Sequence, residues 1–350
     1  MVSFEQLTPR IQRLIVPAAG PYSRFASNAY LIGRGASRML VDSGTGHPGS
    51  AEALKGLAIG TRVVLTHAHG GHANGLAHLQ RGVKIAKFKS QGDAGEMSFL
   101  RHNEKIVLRD DATSQVDCSV KVIHCPGHSE DSVALWLEEE SVLISGDAIS
   151  STPSPAKGAS LSHDHITVEN LDAYMASLKT LDNLNPRIIF PGHGEIILDG
   201  ASHIAEALSV QNRIENSILQ LLQSSHVVTA NAITAHLAAN SPGISLLVLE
   251  GTVKQHLIRL EARGLAARVH ATRGDGKENV SQAERSKTGP GGITFDKIFD
   301  AVKTSRTKDW MEESKGVSKD AMKDVFRLRE KVHPAHQWIR FSNEVEWRAV

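Results

Sequence analysis

The sequence predicts an α/β chain in which sheets pack face to face with helices outside, followed by a small winged-helix-like module and a C-terminal extension. Three observations lead there. Short β-rich runs alternate with helical patterns between about residues 11 and 200. Strands dominate the two ends of that region, with helices between and after them, unlike the regular alternation of a wound parallel sheet. A helix, a turn, a second helix and a short β run then follow within about 45 residues.

The expected strands are 11–16, 28–32, 38–42, 62–66, 120–124, 133–137, 141–145 and 187–190. They are rich in Val, Ile and Leu, and Gly, Pro, Ser or Asp bounds most of them. Helical spacing of apolar residues fits 49–57, 72–80, 168–181 and 201–223. Beyond these, Thr229 caps an expected helix through His236, a helix over 251–263 ends at Gly264, and 265–269 forms a short strand. Residues 274–292 are polar and Gly-rich, the composition of a linker. The tail from 293 to 350 regains apolar faces, Phe295, Ile298, Phe299 and Val302 in one and Met322, Val325, Leu328 and Val332 in another. The domain division expected is therefore 1–205, 206–273, a linker at 274–292, and an extension of unknown role at 293–350.

Composition narrows the function classes. A chain of 350 residues, 41% apolar and 22% charged, has the material for a sizeable core. A formal net charge of +1 supplies no global attraction to nucleic acid or anionic lipid, so such a partner needs a local patch. Cys118 and Cys125 are too few for a disulfide framework and suit a reducing compartment. No run approaches the roughly 20 apolar residues of a membrane span. The first twenty residues lack a secretory layout, while Arg10 and Arg13 opposed by Glu5 leave room for a mitochondrial address. The expectation is an intracellular protein, cytoplasmic or mitochondrial, with no membrane partner.

The 18 histidines are unusual, and several are clustered. The apolar run Val63-Val64-Leu65 leads into Thr66-His67-Ala68-His69-Gly70-Gly71-His72. Residues two apart in an extended loop project to the same side, so His67 and His69 can approach one cation. Imidazole is a common zinc ligand, and a catalytic zinc keeps one position open. Three more strand ends carry a potential ligand beside glycine: Cys125-Pro126-Gly127-His128, Ser145-Gly146-Asp147 and Pro191-Gly192-His193-Gly194. Alone, a His-x-His pair is an ordinary surface feature. With His72 and three further ligand turns in order, it indicates a metal held chiefly by His67, His69, His128 and Asp147.

This set resembles the metallo-β-lactamase superfamily, whose pattern is H-x-H-x-D-H followed by separate His, Asp and His positions. The resemblance covers about residues 11–200 and includes Asn28-Ala29-Tyr30-Leu31-Ile32-Gly33 and Leu40-Val41-Asp42-Ser43-Gly44. It implies an αββα sandwich. It also implies one zinc on His67, His69 and His128, and a second site of His72 and His193 with Asp147 bridging the two. One position departs: Gly71 stands where the family has aspartate. The expectation is one firmly bound Zn2+ and a second that is weak or absent, with activity reduced. The implied chemistry is attack by zinc-activated water, whose pKa falls from about 15.7 toward about 7, on a carbonyl or phosphoryl centre. Asp147 is the remaining candidate for the catalytic base.

Other residues carry less. Asp42 either supports the ligands from behind or is an ordinary turn carboxylate. His163-Asp164-His165 offers a stand-in for the missing carboxylate, although a solvated loop is the favoured reading. Cys125 packs in the core, and His47, His78, His102, His124 and His203 are ordinary histidines. In the winged-helix-like stretch, Lys254, Arg259, Arg263, Arg268 and Arg273 outnumber Glu250 and Glu261, a composition compatible with phosphate contact. The sandwich followed by this module is similar to the beta-lactamase-like protein 2 group. That likeness implies either a single-stranded RNA endoribonuclease or a thioester or ester hydrolase. The alternative from a different class is a non-catalytic or weakly active metal-binding scaffold that contacts nucleic acid.

Overall fold

Alternate residues of the central strands serve two different cores, and this fixes the layering. The structure is a computed structural model describing residues 3–19, 26–34, 38–57, 61–80, 83–90, 98–110, 115–151, 168–225, 228–239, 246–269 and 346–349. The first sheet holds β1 (Glu5–Gln6), β2 (Ile11–Val16), β3 (Ser27–Ile32), β4 (Met39–Val41), β5 (Arg62–Val64), β6 (Ile85–Phe88) and β7 (Ser98–Leu100), paired in chain order. Its first four strands are antiparallel and its last four parallel. The second sheet holds β8 (Lys105–Arg109), β9 (Val116–His124), β10 (Val133–Leu137), β11 (Val142–Gly146) and β12 (Ile188–Pro191), again in order. All its neighbours are antiparallel except β11 and β12, which are parallel. Helix α3 (Leu171–Asp182) lies in the crossover between those two strands, as parallel neighbours require.

Tyr30, Ile32, Val41 and Val64 of the first sheet meet Val122, Leu135, Ile144 and Phe190 of the second in one buried core. The intervening residues face outward. Leu31, Leu40 and Val63 pack with Leu54 of α1 (Ala51–Lys55). Ala134, Trp136 and Leu143 pack with Leu178 and Leu181 of α3. The result is helix, sheet, sheet, helix. Strands buried on both faces read as continuous apolar runs, and Val133–Leu137 is such a run.

The differences from expectation are local. The helix expected over 72–80 is a single turn, α2 (Gly70–Ala73), followed by a 3-10 stretch over Asn74–His78. Strands β6, β7 and β8 were not anticipated; β8 alternates exposed and buried side chains at a sheet edge. Helix α4 (Gly200–Ser224) runs through the boundary expected at 205/206. Ile204 and Ala207 of α4 pack on the second sheet's outer face, whereas Val210, Ile214, Ile218 and Leu222 join a separate core. That core includes Ile233 and Leu237 of α5 (Ala230–Ala239) and Val253, Leu257 and Leu260 of α6 (Leu246–Ala262). Thr229 Oγ1 accepts from Ala232 N at 3.2 Å, so the expected cap is present.

Three short strands complete this part: β13 (Val228–Thr229), β14 (Ala266–Val269) and β15 (Glu346–Ala349). β15 lies between the other two and is antiparallel to both. The end of the expected extension therefore returns to the α5–α6 region. The linker at 274–292 and the apolar faces between Phe295 and Val332 lie outside the described residues. No described helix is long and apolar enough to cross a membrane.

Candidate metal centre

Each ligand loop leaves a buried strand and is fixed by hydrogen bonds before it reaches the centre. His67 follows β5 by way of Leu65 and Thr66. Asp42, 2% exposed and in the left-handed region at φ +59, accepts from Thr66 N at 2.7 Å and from Thr66 Oγ1 at 2.8 Å. With its hydroxyl proton committed to Asp42, Thr66 can only accept from His67 Nδ1, which lies at 3.1 Å. That sets the tautomer and leaves the His67 Nε2 lone pair facing inward. Asp42 Oδ2 also accepts from His72 Nδ1 at 2.8 Å. Asp42 is thus a support for two of the histidines, the first of the two roles weighed for it.

His193 is held in the same way. Its Nδ1 donates to Ala26 O at 2.9 Å, turning Nε2 toward His72 Nε2 at 3.3 Å. The loop bearing it is clamped by Asn28 Nδ2, which donates to Pro191 O and Gly194 O, each at 2.9 Å. Tyr30 Oη donates to Pro191 O at 2.7 Å. Sequence reasoning gave Asn28 and Tyr30 no role at the site. Their signal was the spacing of two, which puts both on one face of β3.

His128 sits on a turn whose backbone is pinned to α3. Gly127 O accepts from Glu169 N at 2.8 Å and Asn170 N at 3.0 Å, and Ser177 Oγ donates to Pro126 O at 2.7 Å. Gly127 has φ +135, and a Cβ there would lie 2.4 Å from the Tyr174 backbone. Both strain and overlap oppose any side chain. Gly127→Ala is therefore expected to cost about 3 kcal/mol in a denaturant titration, with weaker metal binding because His128 moves. An unchanged midpoint would refute the packing argument.

The donors converge. His69 Nδ1 and His128 Nε2 are 2.9 Å apart. Asp147, directly after β11, places Oδ1 3.2 Å from His72 Nε2, and Oδ2 3.5 Å from both His128 Nε2 and His193 Nε2 and 3.8 Å from His67 Nε2. Two triplets have all ligand atoms within 4.8 Å of one another: His67, His69 and His128, and His67, His72 and Asp147. His67 belongs to both, and His193 reaches the second through His72 and Asp147.

Electrostatics sort these groups by role. Burial, with His72 nearby, holds His67 well below the usual histidine range, and burial with His128 nearby lowers His69 to about 4. Both are neutral ligands at pH 7. Burial opposes charge on His72 as well, but Asp147 and Asp42 outweigh it and lift His72 to about 10. Asp147 lies well below the carboxylate range: burial opposes its charge, yet the charge of His72 and the hydrogen bonds from His193 and His72 prevail. His67 Nε2 is buried with no hydrogen-bond partner among the described residues. Unpaired buried polar atoms are costly, and a cation among these donors would satisfy it. The residues therefore fit a metal ion.

The remaining candidates lie elsewhere. His47 Nδ1 accepts from Gly49 N, His78 pairs with Gly46 O, and His124 stacks on Phe88 with centroids 3.8 Å apart. His102 Nδ1 accepts from His124 N, and His203 Nε2 lies 3.3 Å from Ser150 O. Cys125 is buried in the outer core, where burial pushes its thiol up to about 12, so it is no nucleophile. His163, Asp164 and His165 lie outside the described residues. A Cβ on Gly71 would meet, among the described residues, the His193 ring at 3.9 Å, an ordinary contact.

Layering and ligand order together define a class, and the comparisons agree. Residues 22–193 match the metallo-beta-lactamase superfamily. A beta-lactamase-like protein 2 homolog from Caenorhabditis elegans is 30% identical over 280 residues, covering 76% of this chain and 89% of that protein. An atrochrysone carboxyl ACP thioesterase from Aspergillus terreus is 30% identical over 226 residues, covering 62% of this chain and 65% of that enzyme. Among solved structures, a beta-lactamase domain protein from Burkholderia ambifaria superimposes with TM-score 0.62 at 18% identity, over 77% of this chain and 91% of that one. A metallo-beta-lactamase family protein from Thermus thermophilus gives TM-score 0.56 at 21% identity, over 76% and 97%. At those identities the structures speak to the fold alone. The chain belongs to the metallo-beta-lactamase superfamily, a group of metal-binding proteins that includes hydrolases.

Proposed function

We propose that this chain is a zinc-dependent hydrolase of acyl thioesters or esters, with one firmly held ion on His67, His69 and His128. The observation that carries the reading is the convergence of those three nitrogens, with His67 Nε2 buried and unpartnered among the described residues. When bound, such an ion supplies Lewis acidity that polarises a carbonyl and acidifies water. Asp147 stays anionic and faces both donor sets, so it can accept the proton of the attacking water. Its contacts with His72 and His193 aim the carboxylate. His72, His193 and Asp147 form the weaker second set, which Gly71 leaves without a further carboxylate.

Acyl substrates are favoured over RNA by the charges of the second core. Lys254 pairs with Glu250 at 2.6 Å, Arg263 with Glu215 at 2.6 Å, and Arg268 with Glu261 at 2.8 Å. Arg259 bonds Glu215 at 2.8 Å and also meets Asp172 of α3. Cations already matched by carboxylates offer little to a phosphate backbone. Arg273 lies outside the described residues. A fungal relative bears the name of an acyl-carrier thioesterase, which supports the same choice. We keep 1–205 as the hydrolase domain and 206–273 as a winged-helix-like module, with α4 shared between them. Residence in the cytoplasm or mitochondrion is supported by two buried, unbridged cysteines.

The experiment is a parallel assay of the zinc-loaded chain on an acyl thioester and on single-stranded RNA, with metal content measured on the same sample. Thioester turnover with near one zinc per chain is expected. RNA cleavage alone would transfer the reading to the endoribonuclease class, and negligible zinc would leave the scaffold alternative.

A further inference from the structure

The first donor triplet draws its members from different sheets. His67 and His69 leave β5 of the first sheet, whereas His128 lies between β9 and β10 of the second. Their spacing therefore depends on what ties one sheet to the other beside the site. Val133 N donates to Thr66 O at 2.8 Å. Another tie, on the His128 side, is a buried ion pair: Lys87 of β6 places Nζ 3.5 Å from Asp131 Oδ2, with both side chains 7% exposed. Strand β6 is the parallel neighbour of β5. Asp131 lies in the His128 turn, and its Oδ1 accepts from Ser129 Oγ at 2.8 Å, next to His128. Ser129 Oγ is also 2.7 Å from Ser132 Oγ, so Asp131 organises the whole turn.

Burying two opposite charges is no efficient route to stability, because desolvation opposes their attraction and an apolar pair avoids that penalty. A buried pair at that place is better explained by the geometry it imposes. We infer that Lys87 and Asp131 are positioning residues that hold the His128 turn at the distance from His67 and His69 at which all three imidazoles share one cation. The inference rests on the metal-centre reading above and deepens it. Neither residue belongs to the two donor triplets. As in other metal sites, the groups behind the ligands decide how well they are aimed.

The test is zinc titration of the metal-free full chain by calorimetry, with cobalt(II) absorption as a reporter of ligand geometry. The variant is Lys87→Met with Asp131→Asn. It removes both charges together, leaving the net charge beside the centre unchanged, and it keeps an acceptor for Ser129. Zinc affinity is expected to fall about 10- to 100-fold and the cobalt bands to change, while the metal-free melting temperature moves little. Lys87→Gln with Asp131→Asn, which replaces the ion pair by a neutral bridge, is expected to recover part of the affinity. Affinity within threefold of the parent with unchanged cobalt bands overturns the inference. Failure of both double variants to fold also overturns it, since the pair then serves the fold. A parent chain that binds no zinc defeats the metal-centre reading itself.

Discussion

His67→Ala is expected to abolish specific zinc uptake and, with it, hydrolysis. His67 is the donor common to both triplets, so its loss leaves His69 and His128 as a pair and leaves the weaker set of His72, His193 and Asp147, in which His72 keeps its proton at pH 7. The affinity loss should exceed the about 10- to 100-fold that groups behind a ligand typically cost. Thermal shift separates this from misfolding. A ligand at about a hundredfold excess over its Kd stabilises by about 2.7 kcal/mol, so zinc should raise the melting temperature of the parent and leave the variant unmoved. Without metal the variant should fold but melt somewhat lower, because the alanine removes an unpartnered buried nitrogen together with the Nδ1 bond to Thr66 and the packing of the ring. A variant that zinc still stabilises would show that the ion binds elsewhere.

Gly71→Asp is expected to raise zinc content from about one to about two per chain. The first β-carbon meets the His193 ring at an ordinary distance, and Gly71 does not require the left-handed region. The new carboxylate would therefore be introduced without a clash with the described residues, beside the set of His72, His193 and Asp147. In the parent, His72 holds its proton to about pH 10 because Asp147 and Asp42 stabilise the cation. A histidine with a raised pKa is protonated below that value and becomes a ligand only as pH rises through it. Occupancy of this set should accordingly increase with pH, and the added carboxylate should bring it toward neutrality by favouring a divalent ion over a single proton. Equilibrium dialysis at several pH values reads this directly. No second ion at any pH would mean that residue 71 is not where a carboxylate serves the site.

Much of the architecture was legible because burial on both faces leaves a simple mark. Val133–Leu137 and Ser27–Ile32 present runs without alternation, and their bounds were close from sequence. β6 was hidden by Lys87, a charge within four residues whose burial makes sense only once Asp131 is beside it. β15 was hidden for a related reason: its partners are β13 and β14, and pairing across such separations leaves no local pattern. The helix expected over 201–223 already crossed the boundary expected at 205/206, but a helical pattern cannot reveal that successive stretches of its one apolar stripe serve two cores.

The site divides in the same manner. His67, His69, His72, His128, Asp147 and His193 were legible because they lie in turns that follow apolar runs, with glycine beside all but His67, and the structure brings the six together. What lies behind them was not. The relay from Asp42 through Thr66 to His67 depends on the left-handed backbone of Asp42, and the Asn28 clamp depends on carbonyls presented by a turn far along the chain. Polar partners of this kind are selected by direction, and direction belongs to the folded chain.

Helix α4 carries a mechanical implication. An unbroken rod of about 37 Å, at 1.5 Å per residue, is embedded at its start in one lobe and at its far end in the other. Neither lobe can swivel against its neighbour without fracturing the rod, and neither can melt without baring an apolar stripe on it. Heating should consequently dissolve both in a single calorimetric peak, as though the seam between them were absent.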